Sequence, residues 1–263
     1  MKSTTIMPVL FAGHGNPMNA IENNEFSAKW EEIASQIPRP KSVLCVSAHW
    51  ETWGSLVTGV EKPQTIHDFG GFPEALYRVS YPAPGDKKLA NDLSGIKGAK
   101  ITVCHDRGLD HGCWSVLKRM YPKADVPVVQ LSLDQAKTAE EHFELGKKLA
   151  YLRSEGVLII GSGNIVHNLY LVELKSGDFN EEFGFDWAIK ANELIKQLIV
   201  NKQYDELCRY GALGEAINLA VPTPEHYLPM LYTLAVRRDE DKVKFFNDKA
   251  VAGSLSMTGF VLE

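Results

Sequence analysis

The chain has 263 residues, 44% of them hydrophobic and 23% charged, with a formal net charge of −5. That balance is globular, with apolar material enough for a sizeable core. The mild acidity and the lack of any basic cluster argue against nucleic acid as a partner, and no run approaches the ~18 apolar residues that a membrane-spanning helix needs.

In chain order, "MKSTTIMPVLFAG" opens with a short apolar part broken by Pro8 and reads as a first strand at 5–12, not as a leader. "NEFSAKWEEIASQI" follows as a helix with an asparagine cap. Runs rich in Val, Ile and Leu predict strands at 42–48, 55–60, 100–104 and 126–133. "TAEEHFELGKKLAYL" is a helix opening with Thr138 and Glu141 at capping-box spacing. A strand at 157–161 precedes the helical "FDWAIKANELIKQLIV". "PEHYLPMLYTLAV" is predicted as a helix after Thr223, with Pro224 at its first position. Strands at 243–247 and 256–262 end the chain.

Several strands are continuously apolar, the pattern of strands buried on both faces. The alternation predicts an α/β fold: a central, mostly parallel sheet flanked by helices, with the last two strands as an antiparallel edge. Without linker-like tracts or repeats, 1–263 reads as a single domain. Cys45, Cys104, Cys113 and Cys208 form no CxxC pair, and read as free thiols of a reducing, cytoplasmic compartment.

Three histidines stand at strand ends. His14 follows 5–12, His49 follows 42–48, and His167 lies past 157–161 beyond a glycine-rich turn. Ligands of open α/β sheets bind beyond the carboxyl ends of the strands. A single histidine in such a loop is usually a hydrogen-bonded structural residue; three at equivalent positions point to a metal, for which neutral imidazole is the commonest ligand. Gly13, Gly15, Ser47, Ala48, Gly161 and Gly163 leave room for close approach. His226 or Glu225 in "TPEHYLP" supplies a fourth candidate. On a helix the two would point about 100° apart, so only one is expected at the metal. His111 lies in a glycine-flanked turn before a helix, and His67 in "HDFGGFP" belongs to a loop able to cover a site. His105 and His142 read as surface or strand-edge residues without a role.

Other motifs are weak. "GSGN" begins like a dinucleotide loop but is followed by Val166 where a third small residue is needed. There is no GxSxG, Walker or HExxH pattern. Cys113 before a tryptophan reads as a buried thiol sooner than a nucleophile.

Together "GHGNPM", "SAHWE", "HDFGGFPEALY", "GLDHGCWSVL", "GSGNIVHNL" and "PTPEHYLPMLY" resemble the 4,5-DOPA extradiol dioxygenases, class III extradiol ring-cleavage enzymes related to the catalytic subunit of protocatechuate 4,5-dioxygenase. The likeness runs from about residue 8 to the C-terminus. It implies a non-haem Fe(II) site, which Zn(II) can also fill, with His14, His49 and His226 as ligands. His167 would stand beside the metal as the acid–base residue, or be close enough to count as a ligand, and His111 would contact substrate oxygens. In the wider class the third ligand is a carboxylate, so Glu225 stays an alternative.

The implied reaction inserts O2 into a catechol ring, DOPA-like by the resemblance, giving a 4,5-cleaved seco product. Trp50, Phe69, Phe72, Trp114 and Tyr227 are aromatic candidates for the ring pocket. Two rivals remain at this level: a zinc hydrolase, since three histidines and a water are also a catalytic zinc set, and a Memo-like binding protein that shares the fold without turnover. The assembly state is open, a monomer among the readings.

Overall fold

The computed structural model describes residues 6–263, so Thr5 of the first predicted strand lies outside them. The strands are β1 (Val9–Gly13), β2 (Ser42–Thr52), β3 (Ser55–Thr58), β4 (Ile101–Cys104), β5 (Val128–Asp134), β6 (Val157–Gly163), β7 (Val243–Phe246), β8 (Ala250–Val251), β9 (Leu255–Ser256) and β10 (Gly259–Leu262). Eight form one sheet in the order β4-β3-β5-β2-β6-β1-β10-β7, and β8 pairs with β9 alone. The central β5, β2, β6 and β1 run parallel. β10 and β7 add an antiparallel edge, as the sequence predicts.

Successive residues of β1 serve opposite cores. Val9 and Phe11 join the cluster under the helices Lys87–Ser94, Asp186–Val200 and Leu228–Ala235. Leu10 and Ala12 join the cluster under the helices Glu25–Gln36 and His111–Met120. Period-two alternation with both faces apolar makes a three-layer sandwich. The first helix is capped as expected, Asn24 accepting from the Ser27 N–H. Thr138 and Glu141 complete the second capping box. No helix of the described residues is long and apolar enough to cross a membrane.

Two predicted elements near the candidate site are interrupted or shortened. The run 256–262 is split, because the chain between β9 and β10 crosses against β1: a Cβ on Gly13 would sit 2.6 Å from the Met257 carbonyl carbon. The helix expected from Pro224 begins only at Leu228. Residues 224–227 form a turn in which the Tyr227 and Leu228 N–H groups both donate to the Pro224 carbonyl. The reason is an alternative partner for the turn's carbonyls: the Asn164 N–H donates to His226 O at 2.9 Å. Gly163 permits that approach, since a Cβ there would lie 2.1 Å from the same oxygen.

Candidate active site

His14 lies directly past β1, its N–H donating to Gly163 O on neighbouring β6 at 3.1 Å. His49 lies within β2 and not after it. β2 runs on to Thr52, and its register with β5 slips between Val46 and Glu51, which re-aims the side chains of that stretch. Gly112 lets the helix His111–Met120 close on the slipped segment, as a Cβ would meet Ser47 Oγ at 2.6 Å and His49 Cδ2 at 2.8 Å. His226 comes from the turn before Leu228. Donor nitrogens of His14, His49 and His226 lie within 4.8 Å of one another, and His14 Nε2 is 3.1 Å from His49 Nε2.

The outer nitrogens decide which lone pairs face inward. Ser162 Oγ donates to Gly112 O at 2.6 Å, so its contact with His14 Nδ1 at 3.0 Å requires that Nδ1 carry the proton. His226 Nδ1 donates to Glu225 Oε1 at 3.0 Å. His49 Nδ1 faces Asp68 Oδ2 at 3.8 Å. The Nε2 atoms of His14 and His226 are then left as unprotonated acceptors, and His49 Nε2, which meets His14 Nε2 at 3.1 Å, offers its own lone pair to a shared cation when its proton sits on Nδ1. Burial, reinforced by neighbouring imidazoles, holds His14 and His226 well below the usual histidine range and His49 at about 3. Three neutral imidazoles backed by two carboxylates and a hydroxyl fit a divalent transition metal.

The same turn corrects the reading of Glu225. On a helix it would point away from its neighbour; in the turn it lies behind His226 as its hydrogen-bond acceptor. Its carboxylate also clusters with His167 and His226. His167 stacks on His226, ring centroids 3.4 Å apart and planes 8° from parallel, one imidazole removed from the His14–His49 pair. Burial holds it down at about 4, with Glu225 opposing. His111 starts its helix facing the other side of His49, ring centroids 3.9 Å apart. All five histidines line one cavity of about 320 Å³, at the small end for ligand sites.

Two carboxylates escaped the sequence reading. Asp68 accepts the His111 N–H at 2.9 Å, and its Oδ1 lies 3.1 Å from His111 Nδ1, off the hydrogen-bonding line. Burial would raise the Asp68 carboxyl, but His111 and His49 outweigh it and hold it at about 2. Asp110 is fully buried behind the site. It accepts from Ser47 Oγ and Gln130 Nε2, both at 2.7 Å, and caps the His111 helix through the Cys113 N–H at 3.1 Å. Burial pushes its carboxyl up, and the Asp68 charge adds to that. Asp110 was visible as a cap before an apolar helix, and Asp68 as the neighbour of His67; nothing in the sequence showed that both back the histidines.

Other candidates lie elsewhere. His67 turns from the cavity to contact Val79 O at 3.0 Å. Phe69 and Phe72 do line the cavity, joined by Leu169, Phe179 and Leu255. Trp114 is core, its indole N–H held by Ile66 O, and the buried Tyr227 hydroxyl donates to Leu207 O. Trp50 is buried beneath the Arg107 guanidinium. These three are not cavity residues. His142 is not a surface residue but is buried against Tyr232. Burial pushes the Cys113 thiol well up, which removes it as a nucleophile.

Converging neutral imidazoles at the carboxyl ends of a parallel sheet, beside a small aromatic cavity, define a metal-dependent enzyme for a small molecule. Residues 6–258 match the family of the catalytic LigB subunit of aromatic ring-opening dioxygenase. The 4,5-DOPA dioxygenase extradiol of Escherichia coli (strain K12) is 46% identical over 261 residues, 97% of this chain and 94% of that one. The Beta vulgaris protein of the same name is 37% identical over 95% of this chain and 94% of its own. A crystal structure of an uncharacterized protein from Escherichia coli K12 has a TM-score of 0.84 at 38% identity, covering 98% of this chain and 100% of that one. The chain belongs to the LigB family and is an extradiol ring-cleavage dioxygenase, as its motifs led us to expect. Its substrates are a small aromatic molecule and O2.

Proposed function

We propose that this enzyme cleaves a DOPA-like catechol at the 4,5 position, with Fe(II) held by His14, His49 and His226. The convergence of their Nε2 atoms carries the reading, and the names of the relatives support the substrate class. Bound there, Fe(II) supplies the redox capacity that lets triplet O2 react with a singlet catechol, which Zn(II) in the same donors does not. Glu225 and Ser162 orient His226 and His14 from behind, and the Asp68 carboxylate faces His49 at 3.8 Å.

The remaining residues handle protons and position. His167 is neutral near pH 7 because burial lowers its proton affinity, so it takes the proton of a catechol hydroxyl and later returns it to the opening ring. His111, whose backbone N–H is held by Asp68, hydrogen-bonds a substrate hydroxyl through its ring. Phe69 and Phe72, edge to face at 5.4 Å, flank the ring.

The test is O2 uptake by metal-stripped protein reloaded anaerobically with Fe(II) or Zn(II) and given L-DOPA. Uptake with a yellow ring-opened product, in the Fe(II) form alone, is expected. Cleavage by the Zn(II) form, or none by a fully loaded Fe(II) form with any catechol, would overturn the proposal. His167→Ala should keep its metal and lose turnover; normal turnover would remove its acid–base role.

A further inference from the structure

The cavity lining beyond the histidines differs from them in chemistry. Phe69, Phe72, Leu169, Phe179 and Leu255 make it apolar. Among the described residues no lysine or arginine lines the cavity. The nearby cation, Arg107, does not line the cavity and is engaged behind it: it donates to His49 O at 3.1 Å, lies over Trp50, and stands 3.7 Å from Asp110. Apart from the metal, whose charge is taken up by the catechol oxygens bound to it, the charged groups at the cavity are negative. Asp68 lines the cavity, and Glu225 stands behind His226. Both carboxylates are committed to histidines and offer a second anion only repulsion.

With catechol oxygens held at the histidines, the ring's other end lies against the apolar wall. A carboxylate on a one- or two-carbon arm would then lose water without gaining a cation, which is costly. An amine, an alkyl group or a zwitterion would not, because a zwitterion carries its own counter-charge. We infer that the cavity selects catechols whose ring substituent carries no net negative charge, and rejects catechol carboxylates with short arms. The inference rests on the ring-cleavage reading for the orientation of the substrate, and deepens it to a substrate class. Its basis is the apolar wall of Phe69, Phe72, Leu169 and Phe179 together with the Asp68 carboxylate.

Three catechols with arms of similar length provide the test: 4-ethylcatechol (neutral), dopamine (cationic) and 3,4-dihydroxyphenylacetate (anionic). Calorimetric titration of the Zn(II)-loaded protein measures binding without turnover, and O2 uptake by the Fe(II) form is followed in parallel. The anionic arm is expected to bind at least about tenfold more weakly than the other two, the size of one lost or repelled charge in a partly wet site. Equal or tighter binding of the anion would overturn the inference, as would a failure of all three to bind. If binding follows the expected order but the Fe(II) form cleaves none of them, the ring-cleavage reading fails and the charge selection stands. Leu169→Arg places a cation on the apolar wall at a residue that is 61% exposed. It should narrow the gap between anionic and neutral arms at least fivefold in the same titration, on the same charge argument. An unchanged gap in the folded variant would show that the missing cation is not the cause.

Discussion

Among the described residues, His142 is buried alone, whereas His14, His111 and His226 are buried together at the candidate site. His142 sits in the helix Ala139–Lys147, buried against Tyr232, with burial holding it at about 4. His49 is held at about 3 for the same leading reason. By proton affinity alone the two are alike. They differ in what the second nitrogen faces. The Nδ1 of His142 meets a single tyrosine hydroxyl at 2.8 Å. His14 and His226 have their outer nitrogens tied to Ser162 and Glu225, and the inner nitrogens of His14 and His49 are turned on each other. Burial makes a histidine neutral; convergence with other imidazole nitrogens makes it a candidate ligand.

The strongest way to break this comparison is His49→Ala. Metal content should collapse, and activity should fall beyond the roughly 10–100-fold that changes behind a ligand produce. His142→Gln should leave both untouched. Metal analysis and O2 uptake on the purified variants decide it, and an H49A protein that keeps metal and turnover would dissolve the distinction.

Asp110→Asn probes the layer behind the ligands. Asparagine caps helices as well as aspartate does, so the helix His111–Met120 is retained. Its amide cannot accept from both Ser47 and Gln130, as the carboxylate does. Metal affinity or kcat should fall about 10–100-fold, with the pH profile of kcat shifted as His49 and His111 lose their alignment. A loss confined to thermal stability would mark Asp110 as a core residue only.

The smallest expected effect concerns pH and belongs to His142. Its folded value, about 4, lies below the ordinary 6.5, so the fold favours the neutral ring. Its contribution to stability is therefore full above pH 6.5 and is lost as pH falls toward 4. The loss is at most about 3 kcal/mol. Urea melts of metal-loaded protein at pH 7.5 and 4.5 should show a drop that H142Q reduces. Equal drops in both proteins would assign the acid sensitivity elsewhere.

Much of this was legible in the chain. The apolar runs and capping signals marked the elements because burial and backbone hydrogen bonding act locally: Asn24 and Thr138 cap where their sequences say. His14 past the first strand and His167 past β6 were candidates because a parallel sheet brings its carboxyl ends together. His226 was found, but its neighbour was misplaced. The helical period that separates Glu225 from His226 does not operate in the turn that β6 imposes by drawing the His226 carbonyl to Asn164.

The sequence by itself determined an α/β chain carrying histidines at strand ends and the motifs of ring-cleaving dioxygenases, because periodicity and short motifs reside in neighbouring residues. Only the tertiary structure decided which side chains meet. The register slip in β2 aims His49; Gly112 and Gly163 admit the helix and the turn that bring His111 and His226 alongside. Asp68 and Asp110 become backing for the histidines only when distant segments close on them, and the charge of the cavity is set by which loops wall it. Those are contacts between residues far apart in the chain, and no local pattern encodes them.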